Sequence, residues 1–400
     1  MQSRQSGPSR VQTGLECLLE DPRRRLGKAR VGLVANPTTV DHRLRHAVDL
    51  LAGNADVNLA LLFGPEHGIR GAAQDMIHVG DAHDPVTRLP EVSLYGPTFS
   101  SLMPTPEHMA RIDVLLFDIQ DVGARYYTYA ATMALCMQAA ARAGVKVVVL
   151  DRPNPISGLQ VEGGGLEAGL ENFCALYPVP QRHGMTVGEL ARLYNTVFGI
   201  GCELEVIPCR GWKRAQYWDE TGLPWVLPSP NMPTPDTALV YPGMCLLEAT
   251  NLSEGRGTTR PFELFGAPYV DGRALAVELA GYGLEGVMLR PCTIEPTFHK
   301  HARTACGAVQ LHVTDRGVFD SYRTGLAVVT AVRTLWPDDF AWRTEMYEFR
   351  DDVPAMDLLT GHPSVRLAID AGAPFEDIVA KARAGTEAYD RGREAALLYH

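Results

Sequence analysis

Four fingerprints are missing from this 400-residue chain, and their absence narrows the chemistry before any residue is given a role. No Gly-x-x-x-x-Gly-Lys-Ser/Thr run exists to cradle phosphates, and no Gly-x-Gly-x-x-Gly opens the first helix, so a parallel-sheet pattern brings no nucleotide with it. Gly-x-Ser-x-Gly is missing, which removes the usual serine nucleophile elbow. His-Glu-x-x-His, the helical zinc pair of many hydrolases, is missing too. Cys-x-x-Cys spacing is absent: Cys17, Cys136, Cys174, Cys202, Cys209, Cys245, Cys292 and Cys306 stand apart, mostly among apolar neighbours. That spacing suggests neither a zinc site nor a disulfide framework, and points to small buried thiols in a reducing compartment. The first thirty residues carry six arginines but no apolar stretch able to serve as a signal-peptide core, and no window approaches the roughly 18 apolar residues of a membrane helix. The expectation is a cytoplasmic protein with no membrane partner. Positive charge is also short: 37 Lys and Arg against 47 Asp and Glu give a formal net charge of -10, spread along the chain, which disfavours nucleic acid as a partner.

What is present is apolar: 46% of residues are hydrophobic and 21% charged, enough for a large core in a chain long enough to split in two. Near-continuous apolar runs at 31–35, 57–63, 112–117 and 145–150 read as parallel strands buried on both faces. A helical pattern runs through 48–51, and the Ala-, Met- and Leu-rich stretch 127–143 fits a βαβ crossover helix. From about Pro224 the texture turns Pro-rich and then Gly/Arg-rich, followed by helical patterns at 272–281 and 319–335 and a strand at 309–313. The expected architecture is α/β, with a mostly parallel, Rossmann-like sheet domain over 1–250 and a smaller α+β lobe over 251–400.

Ligands of open α/β sheets bind beyond the carboxyl ends of the strands, so the residues following each run carry the functional information. They read Asn36-Pro37-Thr38-Thr39, Gly64-Pro65-Glu66-His67-Gly68, Asp118-Ile119-Gln120-Asp121 and Asp151-Arg152-Pro153-Asn154-Pro155, and all four are polar. Glu66 is boxed by Gly64, Pro65 and Gly68; partial desolvation at a strand end would raise its pKa and make it a proton donor. The competing reading is a carboxylate that caps the next turn or pairs with Arg70. His67 orients Glu66, binds substrate or simply bonds within its loop. The block Asp118 to Tyr129 joins two carboxylates, Arg125 and three tyrosines, an arrangement suited to sugars. Core packing of Tyr126 or Tyr129 is the alternative. Arg125, Arg256 and Arg260 are candidates for an acidic group on the ligand. A metal site built from His67, His78 and His83 with Asp118 and Asp121 is a weaker reading, since no helical i, i+4 pair supports it.

Six blocks then carry a specific resemblance: Phe63 to Gly71, Phe117 to Tyr129, Asp151 to Pro155, Arg182 to Thr186, Pro228 to Thr234 and Asn251 to Phe262. In this order they resemble the exo-β-N-acetylmuramidases of bacterial cell-wall recycling, over nearly the whole chain. The resemblance implies a sheet domain and a smaller C-terminal lobe with the site in the cleft between them. The implied reaction is release of N-acetylmuramic acid from the non-reducing end of peptidoglycan fragments, with no cofactor and a small-molecule muropeptide as partner. It assigns Glu66 as catalytic residue. Asp118, Asp121 or Glu254 would supply the second carboxyl group that glycoside hydrolysis commonly uses. His67, Arg70, Arg125, Tyr126, Tyr127, Asn231, Glu254, Arg256 and Arg260 are the expected substrate-binding set. A muropeptide-binding protein without turnover is the competing function.

Overall fold

The computed structural model describes residues 10–66, 68–71 and 82–400. Seven strands form the main sheet: β1 (Arg30–Ala35), β2 (Asn58–Gly64), β3 (Ala82–His83), β4 (Pro90–Ser93), β5 (Val114–Asp118), β6 (Lys146–Leu150) and β7 (Leu204–Ile207). Their order is β3-β4-β2-β1-β5-β6-β7, parallel throughout except for the short β3–β4 edge.

Side chains alternate across a strand, so an uninterrupted apolar run is tolerated only where both faces are covered. Leu115, Phe117, Val147 and Val149 face one apolar cluster, while Val114, Leu116, Val148 and Leu150 face another. Helices Gly14–Glu20 and Ala47–Ala52 close the second face through Leu15, Leu18, Val48 and Leu51. The crossover helix Tyr129–Ala143 and helix Val187–Thr196 contribute to the first cluster. Each large side chain so buried contributes roughly 1.5–3 kcal/mol.

The first cluster continues, without a break near position 250, into helices Pro235–Met244 and Ser321–Leu335 and the C-terminal helices. A second sheet of three antiparallel strands, β8 (Leu264–Ala267), β9 (Val287–Ile294) and β10 (Cys306–Val313), is ordered β8-β10-β9. The architecture is therefore α/β in two parts, as the sequence pattern predicts. Among the described residues no helix is long and apolar enough to cross a membrane.

All four apolar runs are strands, displaced by at most two residues, and the predicted crossover helix begins at Tyr129 rather than at 127. The strands not anticipated are marginal ones. The edge strand β7 is half exposed along Leu204-Glu205-Val206. In β9, another edge strand, Arg290 and Pro291 interrupt the pattern, and an edge is where proline is tolerated.

Helices Pro235–Met244 and Ser321–Leu335 touch through two glycines. A Cβ at Gly325 would stand 2.1 Å from the carbonyl oxygen of Gly243, and a Cβ at Gly243 would strike the backbone of Ser321. The Gly243 amide also donates to Ser321 Oγ at 2.9 Å. We predict that Gly325→Ala lowers stability by about 1–3 kcal/mol in urea unfolding, overriding the ~1 kcal/mol helix-propensity gain. Unchanged stability would show that the two helices separate without penalty.

Candidate active site

The loop after β2 is fixed at both ends before any ligand is considered. Leu94 N–H donates to Gly64 O at 2.8 Å, and Gly68 N–H closes a turn on Pro65 O at 2.9 Å with φ at 73°. Gly71, at φ 72°, lies where a side chain would meet Pro37, so only glycine fits. Arg70 clamps the loop to its surroundings, pairing with Asp84 at 2.9 Å and Asp49 at 2.8 Å. Glu66 is thereby held half-buried on the wall of a cleft of about 120 Å³ that opens to solvent.

Facing Glu66 is an aromatic wall from the start of the crossover helix. Tyr127 meets Tyr129 edge to face at 5.1 Å and Tyr241 at 5.9 Å, and Tyr241 meets Phe262 at 4.8 Å. Tyr129 donates to Pro228 O at 2.8 Å, with Glu66 O a longer contact at 3.4 Å. Burial first, and then the charge of Glu66, push the Tyr129 hydroxyl upward, so it stays a neutral donor. The Tyr127 hydroxyl is buried, in a residue 8% exposed, beside Ser229. Among the described residues it has no partner of good hydrogen-bond geometry.

The opposite wall is charged. Arg256 donates to Glu248 at 2.7 Å and Glu254 at 3.1 Å and stacks 5.1 Å from the Phe262 ring. Glu254 also meets Lys300 at 3.0 Å and His299 at 3.2 Å. Burial raises its pKa, yet Lys300, His299 and Arg256 outweigh that and hold the carboxyl well below the ordinary range. Glu248 accepts from Tyr347 at 2.9 Å through its other oxygen. Arg343, Tyr347 and Glu348 complete the wall.

Several expected roles are corrected by position. Asp118 is 0% exposed and bonded through both oxygens to Arg152, at 2.5 and 2.9 Å, so it cannot reach a substrate. Asp121 is buried against His183 at 3.1 Å and the Gly123 amide at 2.6 Å, away from the cleft wall. Glu254, 0% exposed, is buried against Arg256, Lys300 and His299 and does not line the cleft. Arg125 is buried on the carbonyls of Gly165, Val179 and Leu359. Arg70 is consumed by its two aspartates, and Arg260 points to Glu263 at 3.2 Å outside the cleft. Asn231 is buried without lining the cleft, and its neighbour Ser229 lines it instead.

Glu66, Tyr126, Tyr127 and Arg256 are the predicted residues that do share the cleft; Tyr126 also anchors to Pro242 O at 2.9 Å. His67 and His78 lie outside the described residues. Among the described residues no three His, Cys, Asp or Glu side chains are grouped as a metal site. Sequence reasoning missed Glu248, His299, Arg343, Tyr347 and Glu348. The only signal that could have found the last three is an Arg and a Tyr-Glu pair in the extended stretch after helix Ser321–Leu335.

A groove of about 800 Å³ at the opposite edge of the sheet is larger than the cleft's 120 Å³, but of its charged residues Arg30 and Asp113 already pair at 2.7 Å and Arg142 donates to Met103 Sδ. It lies at the amino ends of β1 and β5, where parallel sheets do not place ligands.

Aromatic faces and carboxylates together at the carboxyl edge of a parallel sheet are the equipment of a carbohydrate-active α/β enzyme. Two family models match in tandem: the N-terminal part of the exo-β-N-acetylmuramidase NamZ over residues 31–236, and its C-terminal part over 239–399. The chain belongs to that family. It is 45% identical over 390 residues to the peptidoglycan β-N-acetylmuramidase NamZ of Bacillus subtilis (strain 168), covering 98% of this chain and 92% of that protein. Two crystal structures of DUF1343 family proteins from Bacteroides fragilis NCTC 9343 are similar. One has a TM-score of 0.88 at 35% identity, the other 0.76 at 28%, each covering 98% of this chain and 99% of its own.

The Arg70–Asp84 pair carries a pH signature. Burial pushes the Asp84 carboxyl up, but Arg70 and Thr87 outweigh it and hold it down to about 2. A carboxyl lowered on folding stabilises above its unfolded pKa near ~4 and loses that contribution as pH falls toward 2. Asp84→Asn is therefore expected to lower stability by about 1–3 kcal/mol at pH 7 and to flatten the acid limb of a thermal-unfolding profile. A variant as acid-labile as the parent would show that the clamp is not what titrates.

Proposed function

We propose that this chain is an exo-acting glycoside hydrolase that releases N-acetylmuramic acid from the non-reducing end of peptidoglycan fragments, with Glu66 as its proton donor. Support comes from the 45%-identical relative, a peptidoglycan β-N-acetylmuramidase, together with a half-buried Glu66 facing sugar-sized aromatic surfaces. The observation that carries the mechanism is Glu66 on the cleft wall, on a loop clamped by Arg70. A carboxyl group placed between water and apolar rings can keep its proton near neutrality and deliver it to a glycosidic oxygen.

The second carboxyl role falls to Glu348 in this reading. Tyr347 and Arg350 exchange backbone hydrogen bonds at 2.9 and 3.0 Å around a tight turn whose central residues, Glu348 and Phe349, have φ of 47° and 65°. Such turns favour Asn and Gly, so a glutamate and a phenylalanine there cost backbone energy that function would explain. Phe349 is fixed between Phe99 at 6.3 Å and Phe173 at 6.1 Å.

The lobe division at 250/251 belongs to the same proposal; the cleft draws on Glu66 and Tyr127 before it and on Arg256 and Glu348 after it. A cytoplasmic site of action, supported by eight cysteines none of which is paired in a disulfide, and a role in cell-wall recycling are further parts of it.

Glu66→Gln should cut turnover of a chromogenic N-acetylmuramic acid glycoside by roughly 10²–10⁴-fold with KM changed only a few-fold. Near-normal turnover would remove Glu66 from the chemistry; a wild-type protein that binds the glycoside without cleaving it would be a sugar-binding protein. Glu348→Gly should move the other way in the two readouts. Stability rises by about 1 kcal/mol as the turn relaxes, while kcat falls at least tenfold. A gain in stability with full activity would return Glu348 to a purely structural role.

A further inference from the structure

We infer that Arg343 is the specificity residue for the substrate's carboxylate, the lactyl ether acid that distinguishes N-acetylmuramic acid from N-acetylglucosamine. This inference rests on the muramidase reading and adds the residue that recognises the acid.

The case begins with charge. A carboxylate entering a cleft needs a cation whose own partners leave it accessible, because a guanidinium already neutralised by buried carboxylates has little left to offer. Arg256 lines the cleft but is bonded to both Glu248 and Glu254. His299 lines it as well, held 3.2 Å from the buried Glu254. Lys300 is bonded to that same carboxylate and to the carbonyls of Leu247 and Leu252. Arg125, Arg70 and Arg260 are turned to other partners, as described above.

Arg343 differs from all of these. Its side chain lines the cleft with 25% exposure, and its nearest carboxylate is Glu345, 4.0 Å away and 77% exposed. A pair so long and so wet holds the guanidinium weakly.

The side chain is nonetheless oriented. Its backbone amide donates to Ala249 O at 2.8 Å, which fixes the residue against the segment carrying Glu248. One terminal nitrogen, Nη2, donates to Met346 O at 3.0 Å. The guanidinium rests 5.1 Å from the Tyr347 ring, a contact that positions the cation without neutralising it. Among the described residues Nη1 has no protein partner, so a donor remains for a ligand carboxylate. An arginine held on one edge and open on another is a preformed half of a carboxylate fork.

The geometry also orders the substrate. Glu66, the tyrosines and Arg343 line the same cleft, so a sugar bound there can present its acidic ether to Arg343 and its glycosidic oxygen to Glu66.

Two measurements test this. Calorimetric binding would compare N-acetylmuramic acid with its lactyl amide, on the full chain and on Arg343→Gln and Arg343→Lys. Turnover would compare the chromogenic glycosides of the same two sugars. Wild type should prefer the acid at least tenfold in both. Arg343→Gln should weaken the acid about 10- to 100-fold, leave the amide within about twofold and so erase the preference, and Arg343→Lys should keep part of it. Three results would overturn the assignment: a preference that survives in Arg343→Gln, equal losses on acid and amide, or no preference in wild type. If acid-selective binding depends on Arg343 but neither glycoside is cleaved, the carboxylate site stands and the glycosidase reading falls.

Discussion

The buried ion pair between Asp118 and Arg152 organises the carboxyl edge of the main sheet, where ligands of such sheets bind. In a parallel sheet the natural crevice opens where strand order reverses, here between the carboxyl ends of β1 and β5. That space is narrowed to a pocket of about 20 Å³ lined by Thr38, Val40, Gln120 and Arg152. Arg152 holds both oxygens of Asp118 and reaches Val40 O at 3.1 Å, while Thr39 Oγ1 donates to Asp118 O and the Gln120 amide to Thr38 Oγ1. Desolvating two charges is expensive and is offset only by near-ideal geometry, so the pair works as a rigid stitch across three loops. With the crevice so narrowed, the larger space lies beside the Glu66 loop, between the tyrosines and the second half of the chain.

The second half answers with charges arranged around a single hub. Glu254 is fully buried yet remains ionised because Lys300, His299 and Arg256 surround it. That hub leaves Arg256 and His299 balanced at the cleft surface and lets Arg343 stand apart from the network. The two walls thus have different characters, neutral hydroxyls and rings on one side and a charge lattice on the other. A substrate with a sugar face and an acidic arm matches both.

Legibility in the sequence followed burial. Apolar runs covered on both faces, such as Val114–Asp118 and Lys146–Leu150, announce themselves because nothing polar is tolerated there. The loop around Glu66 was legible for a different reason: Gly64, Pro65, Gly68 and Gly71 are residues with restricted uses, and their clustering marks a fixed backbone. Asp118, Asp121 and Arg125 misled because a charged residue at a strand end looks the same whether it faces a ligand or an interior partner. Their partners Arg152, His183 and the carbonyl of Leu359 lie 34, 62 and 234 residues away.

Local chemistry written along the chain was sufficient to determine the four buried strands of the sheet, the crossover helix, the fixed backbone around Glu66 and the family resemblance. Which charges are spent on one another was decided only when distant segments met. Arg343 and Glu348 come to the cleft from a stretch with no periodicity of its own, held there by bonds to Ala249 and by the rings of Phe99 and Phe173. Pairing between charges depends on distance and desolvation, and neither quantity exists until the chain has folded.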